Sequence, residues 1–174
     1  GGELMEYDPG RPARFPENPR VVADPPGGMR PVAAADDGRF LYYSCSREYG
    51  TLGSVLTKYD TRTGKAEYKA DPLPDQQIQS LGYDRKTRSL LVGSTMDADC
   101  CSATPSSDRC FFAVIGAHDL EVRKRVQAPA GTRTARVLGS MGKGAFLCLK
   151  RQPRGPPSGQ PTRPCPDVRT RASR

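Results

Sequence analysis

The chain has 174 residues, of which 36% are hydrophobic, together with 18 glycines, 17 prolines and a formal net charge of +8. One substantial core fits this length, but the composition argues against a helical bundle and favours short strands joined by turns. No stretch approaches the roughly eighteen consecutive apolar residues of a membrane-spanning helix, and no signal-peptide pattern opens the chain, so a membrane partner is not expected.

The positive charge is concentrated near the C-terminus. From Arg151 onward six arginines stand against one acid, Asp167, which gives this segment a net charge of +5 and leaves only +3 for the preceding 150 residues. A groove that follows nucleic-acid phosphates needs cations clustered on one folded surface. The nearly balanced body therefore argues against a nucleic-acid partner.

A short strand that ends near an aspartate and a turn recurs three times along the chain. The copies occupy residues 3–10, 55–64 and 113–121, and they contain Asp8, Asp60 and Asp119. A short carboxylate can accept hydrogen bonds from the backbone N–H groups of the following turn, and a later glycine can adopt a positive φ. Each copy therefore predicts a hairpin, whose second strand runs into a Pro-rich loop at residues 24–28, 71–74 or 128–131.

A further strand–turn–strand unit follows each Pro-rich loop. These units occupy residues 31–44, 78–93 and 135–148; the first two turn at aspartates and the third turns at glycines. The three aspartates of the first motif are 52 and 59 residues apart, and the longer step contains an insertion at 96–109. These steps lie near the upper end of the roughly 40–50 residues that a four-stranded repeat unit requires.

The segments DDGRFLYY (36–43) and SVLTKYDTRTGK (54–65) resemble the blade repeat of the broad β-propeller superfamily, of the WD-repeat-like, quinoprotein-like and lactonase-like kind. The resemblance covers residues 3–150. It implies an all-β fold, a partial β-propeller with two complete four-stranded antiparallel blades and two half blades. The alternative is a set of ordinary hairpins in a β-sandwich, because regular strand spacing also suits that fold. The implied blade portions are about 1–28, 29–74, 75–131 and 132–150.

The resemblance also implies that part of the ring is missing. Propellers close with about four to eight blades, so the chain would need the missing blades of a parent protein as partners. Residues 151–174 are rich in proline, glycine and arginine and have almost nothing to bury, which predicts a disordered basic tail. Binding of this tail to nucleic acid or to an anionic surface, or an origin outside the native coding sequence, stays open as an alternative.

The resemblance sorts the loops into two ends. Residues 46–50 and the insertion at 96–109 would share one end with the Pro-rich connectors, where a central cavity opens, while Asp60 and Asp119 would lie at the other end. An unknown protein, peptide or carbohydrate ligand is expected at the first end. Tyr42 and Tyr43 lie nearby on a strand and face opposite sides of the sheet, so only one of them is expected in the core. The candidate ligand-binding residues are Arg47, Glu48, Tyr49, Asp97 and Asp99.

No catalytic residue, metal site or cofactor is predicted. His118, the only histidine, could in principle act as a general base, but it stands beside a turn aspartate in the pattern position of Tyr7 and Tyr59. A structural role is therefore expected for it. Two functions remain: a non-catalytic binding or interaction scaffold, which is preferred, and a fragment of a lactonase-like or lyase-like propeller enzyme that draws metal or acid–base residues from several blades.

The cysteines near the insertion predict a disulfide. Adjacent Cys100 and Cys101 lack the two-residue spacing that lets both sulfurs reach one zinc ion. A bond from Cys100 or Cys101 to Cys110 is the simpler explanation, with free thiols as the alternative. Such a bond would require an oxidising compartment, which favours a secreted or periplasmic protein over a cytoplasmic one.

Overall fold

Residues 1–97, 105–141 and 144–151 are described by the structure, a computed structural model, and they form an all-β fold without helices. The predicted all-β class is confirmed. In this part of the chain there is accordingly no helix that is long and apolar enough to cross a lipid bilayer. The strands are β1 (Leu4–Glu6), β2 (Arg20–Ala23), β3 (Pro31–Asp36), β4 (Phe40–Ser46), β5 (Ser54–Asp60), β6 (Ala66–Ala70), β7 (Gln77–Asp84), β8 (Ser89–Thr95), β9 (Phe111–Gly116), β10 (Val122–Gln127), β11 (Thr132–Met141) and β12 (Gly144–Arg151).

Antiparallel pairing of consecutive strands builds the sheets. β1 pairs with β2, and β3, β4, β5 and β6 form a four-stranded meander. Strands β7 to β10 form a second meander, and the hairpin of β11 and β12 joins it through the single pair Thr134–Thr95, so these six strands count as one sheet. The hairpin after Asp60 and the hairpin near Asp119 therefore lie in different sheets.

Both faces of the β3–β6 meander are covered, because every residue of β5 is buried. Alternate side chains of a strand point to opposite faces. On one face the ring of Tyr42 stacks on Tyr83 of β7, with centroids 6.0 Å apart. On the other face the sulfur of Cys45 lies 3.8 Å from the carbonyl oxygen of Gly2. Tyr42 and Tyr43 are consequently both buried, and the expectation that only one of them belongs to the core is wrong.

The main core lies between the two meanders. Leu56 of the first meander and Leu90 and Ile115 of the second are fully buried in this cluster. Burying an aliphatic side chain of this size stabilises a fold by about 1.5–3 kcal/mol relative to leaving it exposed. A smaller cluster, between the second meander and the β11–β12 hairpin, contains Met96, Cys110, Ala128 and Ala135, with Phe112 and Leu149 packed against it.

Aspartates stabilise turns at one end of the strands, which is termed the turn end. One carboxylate oxygen of Asp8, Asp60 and Asp119 accepts a hydrogen bond from the backbone N–H two residues later, at 2.8, 2.9 and 3.1 Å respectively. The predicted role of the three aspartates is thereby confirmed. Gly64, which follows Asp60, has the predicted positive φ, at 70°.

The backbone pattern of the turns corrects the alignment of Asp119 with Asp60. The N–H of Asp60 donates to the carbonyl of Lys65, and in the later turn the N–H of Gly116 donates to the carbonyl of Glu121. Gly116 therefore occupies the position of Asp60, and Asp119 acts from within the turn. The sequence pattern aligns Asp119 with Asp60 because both are aspartates beside a turn. A carboxylate at either position, the last strand residue or a residue within the turn, can accept a hydrogen bond from a backbone N–H of the turn.

Because of the same misalignment, His118 does not occupy the position of Tyr59. Tyr59 is buried in β5, whereas His118 is exposed in the turn after β9. The carbonyl oxygen of His118 accepts a hydrogen bond of 2.7 Å from the buried ammonium of Lys58. The backbone of His118 thus links the second meander to the first.

Opposite the turn end, the connecting loops of several strands meet at what is termed the loop end. The guanidinium of Arg47 lies 3.8 Å from Asp71, and the side-chain amide of Gln76 donates to the carbonyl of Arg109 at 2.9 Å. These contacts join loops within the first meander and across to the second. The loop end comprises residues 27–30, 47–53, 71–76, 96–97, 105–110 and 128–133.

An ion pair at the turn end makes stability depend on pH. The side chain of Arg39 donates to Asp60 at 2.7 Å and, together with the N–H of Arg62, holds the pKa of Asp60 well below its ordinary value. Because the pKa is lower in the folded chain, this stabilisation is present above about pH 4 and is lost as the pH falls through the folded value. We expect Asp60→Asn to lower the free energy of unfolding at pH 7, with a deficit that shrinks below pH 4.

Urea unfolding followed by circular dichroism at neutral and acidic pH measures this deficit. Glu17→Gln is the matched control, because Glu17 is exposed and belongs to the connection between β1 and β2, a different sheet from the one whose turn Asp60 closes. A deficit in Asp60→Asn that stays constant down to the lowest pH would contradict the assigned role of the ion pair.

Candidate ligand-binding site

The predicted ligand residues within the described part of the chain fall into two clusters at the loop end. Arg47, Glu48 and Tyr49 belong to the loop between β4 and β5, and Asp97 follows β8. The clusters are built on different meanders. Three further predicted residues lie outside the described residues: Asp99, Cys100 and Cys101.

Arg47 supports the loops of the first cluster. Its guanidinium lies against Gly27, where an added Cβ would come within 3.1 Å of one terminal nitrogen, and its Nε faces Asp71 at 3.8 Å. Gly27 has a φ of 68°, which permits the close approach of the connector before β3. The side chain of Arg47 is therefore packed between two connectors and holds them together.

Tyr49 presents the exposed aromatic surface of the first cluster. It is 60% exposed, its hydroxyl accepts a hydrogen bond from Arg30, and the guanidinium carbon of Arg30 lies 4.8 Å from the ring centroid. Such a cation–π contact contributes about 0.5–1 kcal/mol at an exposed site. The adjacent Glu48 is exposed, and its carbonyl accepts the N–H of Thr51 at 3.0 Å. The ring is thus fixed in orientation while one face stays open to solvent.

Asp97 is the centre of the second cluster. Its carboxylate accepts a hydrogen bond of 2.6 Å from Nε of Arg133, on β11, and its backbone N–H donates to the hydroxyl of Thr95 at 3.1 Å. Arg133 neutralises the carboxylate charge, so Asp97 fixes the position of β11 relative to β8. The sequence pattern indicates Asp97 but not Arg133, because an ion pair between residues 36 positions apart leaves no local pattern.

A cavity of about 430 Å³ opens beside the second cluster and is termed the loop-end cavity. In the antiparallel hairpin Thr134 is paired with Lys150, and Arg136 with Cys148, so these four side chains share one face. Alternation of polar residues at 134 and 136 and at 148 and 150 was the sequence signal that could have revealed this wall. The cavity is lined by Gln79, Thr95, Asp97, Thr134, Arg136, Cys148 and Lys150.

Of the cysteines in the described segments, Cys45 and Cys110 are buried and Cys148 is exposed, and these three form no disulfide with one another. As a thiol outside any disulfide, Cys110 has its pKa raised to about 11 by burial. Because Cys100 and Cys101 lie outside the described residues, the disulfide stays a prediction, and so does the secreted or periplasmic location that depended on it. No group of three or more His, Cys, Asp or Glu side chains in residues 1–97, 105–141 and 144–151 is placed to hold a metal ion.

No protein-family model matches the chain, and no curated protein matches it either. The candidate site is therefore defined by its geometry.

Proposed function

We propose that residues 1–150 form part of a β-propeller that acts as a non-catalytic binding scaffold and contacts its ligand at the loop end. The order of the layers supports the propeller arrangement. β3, the first strand of one meander, packs beside β7, the first strand of the next, and β7 packs beside β11. The expected blade boundaries near residues 28, 74 and 131 coincide with the loops that precede these three strands.

Hydrogen bonds between the layers also support this arrangement. The N–H of Ile78 on β7 donates to the hydroxyl of Ser54 at 2.6 Å, and the N–H of Val137 on β11 donates to the hydroxyl of Ser80 at 2.7 Å. A serine of each layer thus satisfies a backbone group of the next. On this proposal β1–β2 and β11–β12 are half blades, and the missing blades belong to a parent protein.

The exposed ring of Tyr49 is the observation that carries the binding role. Aromatic residues that present an apolar face and a polar edge are suited to contact a sugar ring or a peptide, and pre-orientation by Arg30 reduces the entropy lost on binding. The alternative of an enzyme fragment would draw on Arg47, Glu48, Asp97 and Asp99, and of these Asp97 already has its carboxylate engaged by Arg133. We therefore propose a scaffold for a protein, peptide or carbohydrate ligand.

A glycan array and a displayed peptide library, each probed with the purified chain, test this proposal. We expect Tyr49→Ala to weaken the recovered ligand by about tenfold or more, the effect of losing an interface anchor. Tyr68→Ala is the matched control, since Tyr68 is 40% exposed on β6, away from the loop end. Equal affinities of the two variants, or no ligand recovered from either library, would overturn the proposed function.

A further inference from the structure

Two cationic side chains line the loop-end cavity. Arg136 and Lys150 are exposed on its wall, and within the described ranges neither forms an ion pair with a carboxylate. The one carboxylate of the lining, Asp97, is already neutralised by Arg133. The cavity therefore has a surplus of positive charge, although the folded body as a whole is close to balanced.

The floor of the cavity is fixed by its own hydrogen bonds. The hydroxyls of Thr95 and Thr134 lie 2.8 Å apart, and the hydroxyl of Thr95 also contacts the carbonyl of Arg133 at 3.2 Å. If Thr95 donates to this carbonyl, Thr134 must donate to Thr95, because each hydroxyl has a single proton. Both threonine hydroxyl protons are then used in hydrogen bonds within the floor, and neither is available to a ligand. The groups left to bind a ligand are the guanidinium of Arg136, the ammonium of Lys150 and the amide of Gln79.

The two cations stand in a geometry that one acidic ligand can use. Lys150 is opposite Thr134 and Cys148 is opposite Arg136, so Arg136 and Lys150 are diagonal neighbours on one face of the hairpin. Such neighbours lie roughly 7–8 Å apart between their backbones, within reach of long side chains. Charge-assisted hydrogen bonds from a guanidinium and an ammonium are strongest with carboxylate or phosphate oxygens.

We propose that the loop-end cavity binds the acidic group of a small ligand that carries at least two negative charges on carboxylate or phosphate oxygens. A volume of about 430 Å³ lies within the range of roughly 300–1,000 Å³ found for small-molecule sites. This inference rests on the proposed function, since it specifies the ligand class of the same loop end.

The exposed thiol of Cys148 reports directly on this charge. Iodoacetate and iodoacetamide alkylate a thiolate by the same displacement of iodide, but only iodoacetate is an anion. The measured quantity is the rate with iodoacetate divided by the rate with iodoacetamide at Cys148, obtained by mass spectrometry of the peptide. We expect this ratio to fall about 2- to 5-fold in Arg136→Gln and in Lys150→Gln. Lys65→Gln, at the turn end, should leave the ratio unchanged. Taking a ratio cancels any change in the thiolate fraction of Cys148, which affects both reagents equally.

Protection by ligands tests binding itself. Citrate and glucose 6-phosphate should each slow the alkylation of Cys148 by neutral iodoacetamide in the unaltered chain, and glucose should not. The double variant Arg136→Gln, Lys150→Gln should lose this protection. Protection by citrate alone would assign carboxylates, and protection by glucose 6-phosphate alone would assign phosphates. An unchanged rate ratio, or no protection by either anion, would overturn the inference.

The same variants separate this inference from the proposed function. If Tyr49→Ala weakens a ligand recovered from the libraries while the double cavity variant binds it normally and Cys148 shows no dependence on charge, the scaffold stands and the acidic-ligand inference fails. If the cavity variants lose anion protection and Tyr49→Ala has no effect on any recovered ligand, the inference stands and the role of Tyr49 fails.

Discussion

Replacing Leu56 with alanine is expected to lower the free energy of unfolding by about 2–5 kcal/mol. Leu56 lies at the centre of β5 and is fully buried in the core between the two meanders. The substitution removes the apolar contacts with the facing layer and leaves a space that strands held by hydrogen bonds on both sides cannot close. Because domains of this size are stable by only about 5–15 kcal/mol, this is a large fraction of the total.

Leu138→Ala provides the matched control for this prediction. It removes the same atoms from a side chain that is 70% exposed on β11. We expect it to change the free energy of unfolding by less than about 0.5 kcal/mol. Urea unfolding monitored by circular dichroism measures both variants, and equal midpoints would show that the two meanders do not bury Leu56 between them.

Local chemistry made much of the strand pattern predictable. Aspartates and glycines mark the turns because carboxylates accept backbone N–H groups and glycine tolerates a positive φ, and both effects act within a few residues. The residues that pack around a strand, in contrast, come from distant parts of the sequence and are not determined by local chemistry. Lysine is rarely buried without partners, yet Lys58 shares a strand face with the core residue Leu56. It is buried because Glu67 and the carbonyl of His118, 60 residues away, provide its partners.

The candidate site likewise contains one part that local sequence predicts and one part that it does not. The loop at 46–50 could be assigned to the end that holds the connectors, because strand order determines where a loop emerges. Alternation at 134 and 136 and at 148 and 150 indicates the two polar strand faces of the cavity wall, but it does not show that they meet, since Arg136 and Lys150 come from different strands and become neighbours only through the register of β11 and β12. A one-residue change of that register would place the two side chains on opposite faces of the hairpin.

Gly93→Ala is expected to destabilise the fold by about 1–3 kcal/mol and to displace the wall of the loop-end cavity. A Cβ at Gly93 would clash with the carbonyl oxygen of Ala135 and would lie 2.7 Å from the hydroxyl of Ser80. The first obstacle is backbone, so β11 must move away from β8. Such a movement would also strain the bond between Ser80 and Val137, which links β7 to β11.

Gly139→Ala places the same methyl group on β11 where, among the described residues, no atom beyond its two chain neighbours lies within 4 Å, and its effect should stay within about 0.5 kcal/mol. Two measurements distinguish displacement of the hairpin from a general loss of stability. Urea unfolding gives the free energy, and the iodoacetate-to-iodoacetamide ratio at Cys148, taken under conditions where the variant is folded, reports on the cavity wall. The methyl group added at Gly93 pushes against the backbone of β11, whereas the one added at Gly139 projects into open space. Gly93→Ala should therefore alter both quantities and Gly139→Ala neither. Indistinguishable behaviour of the two variants would mean that β8 and β11 do not approach each other at Gly93 in solution.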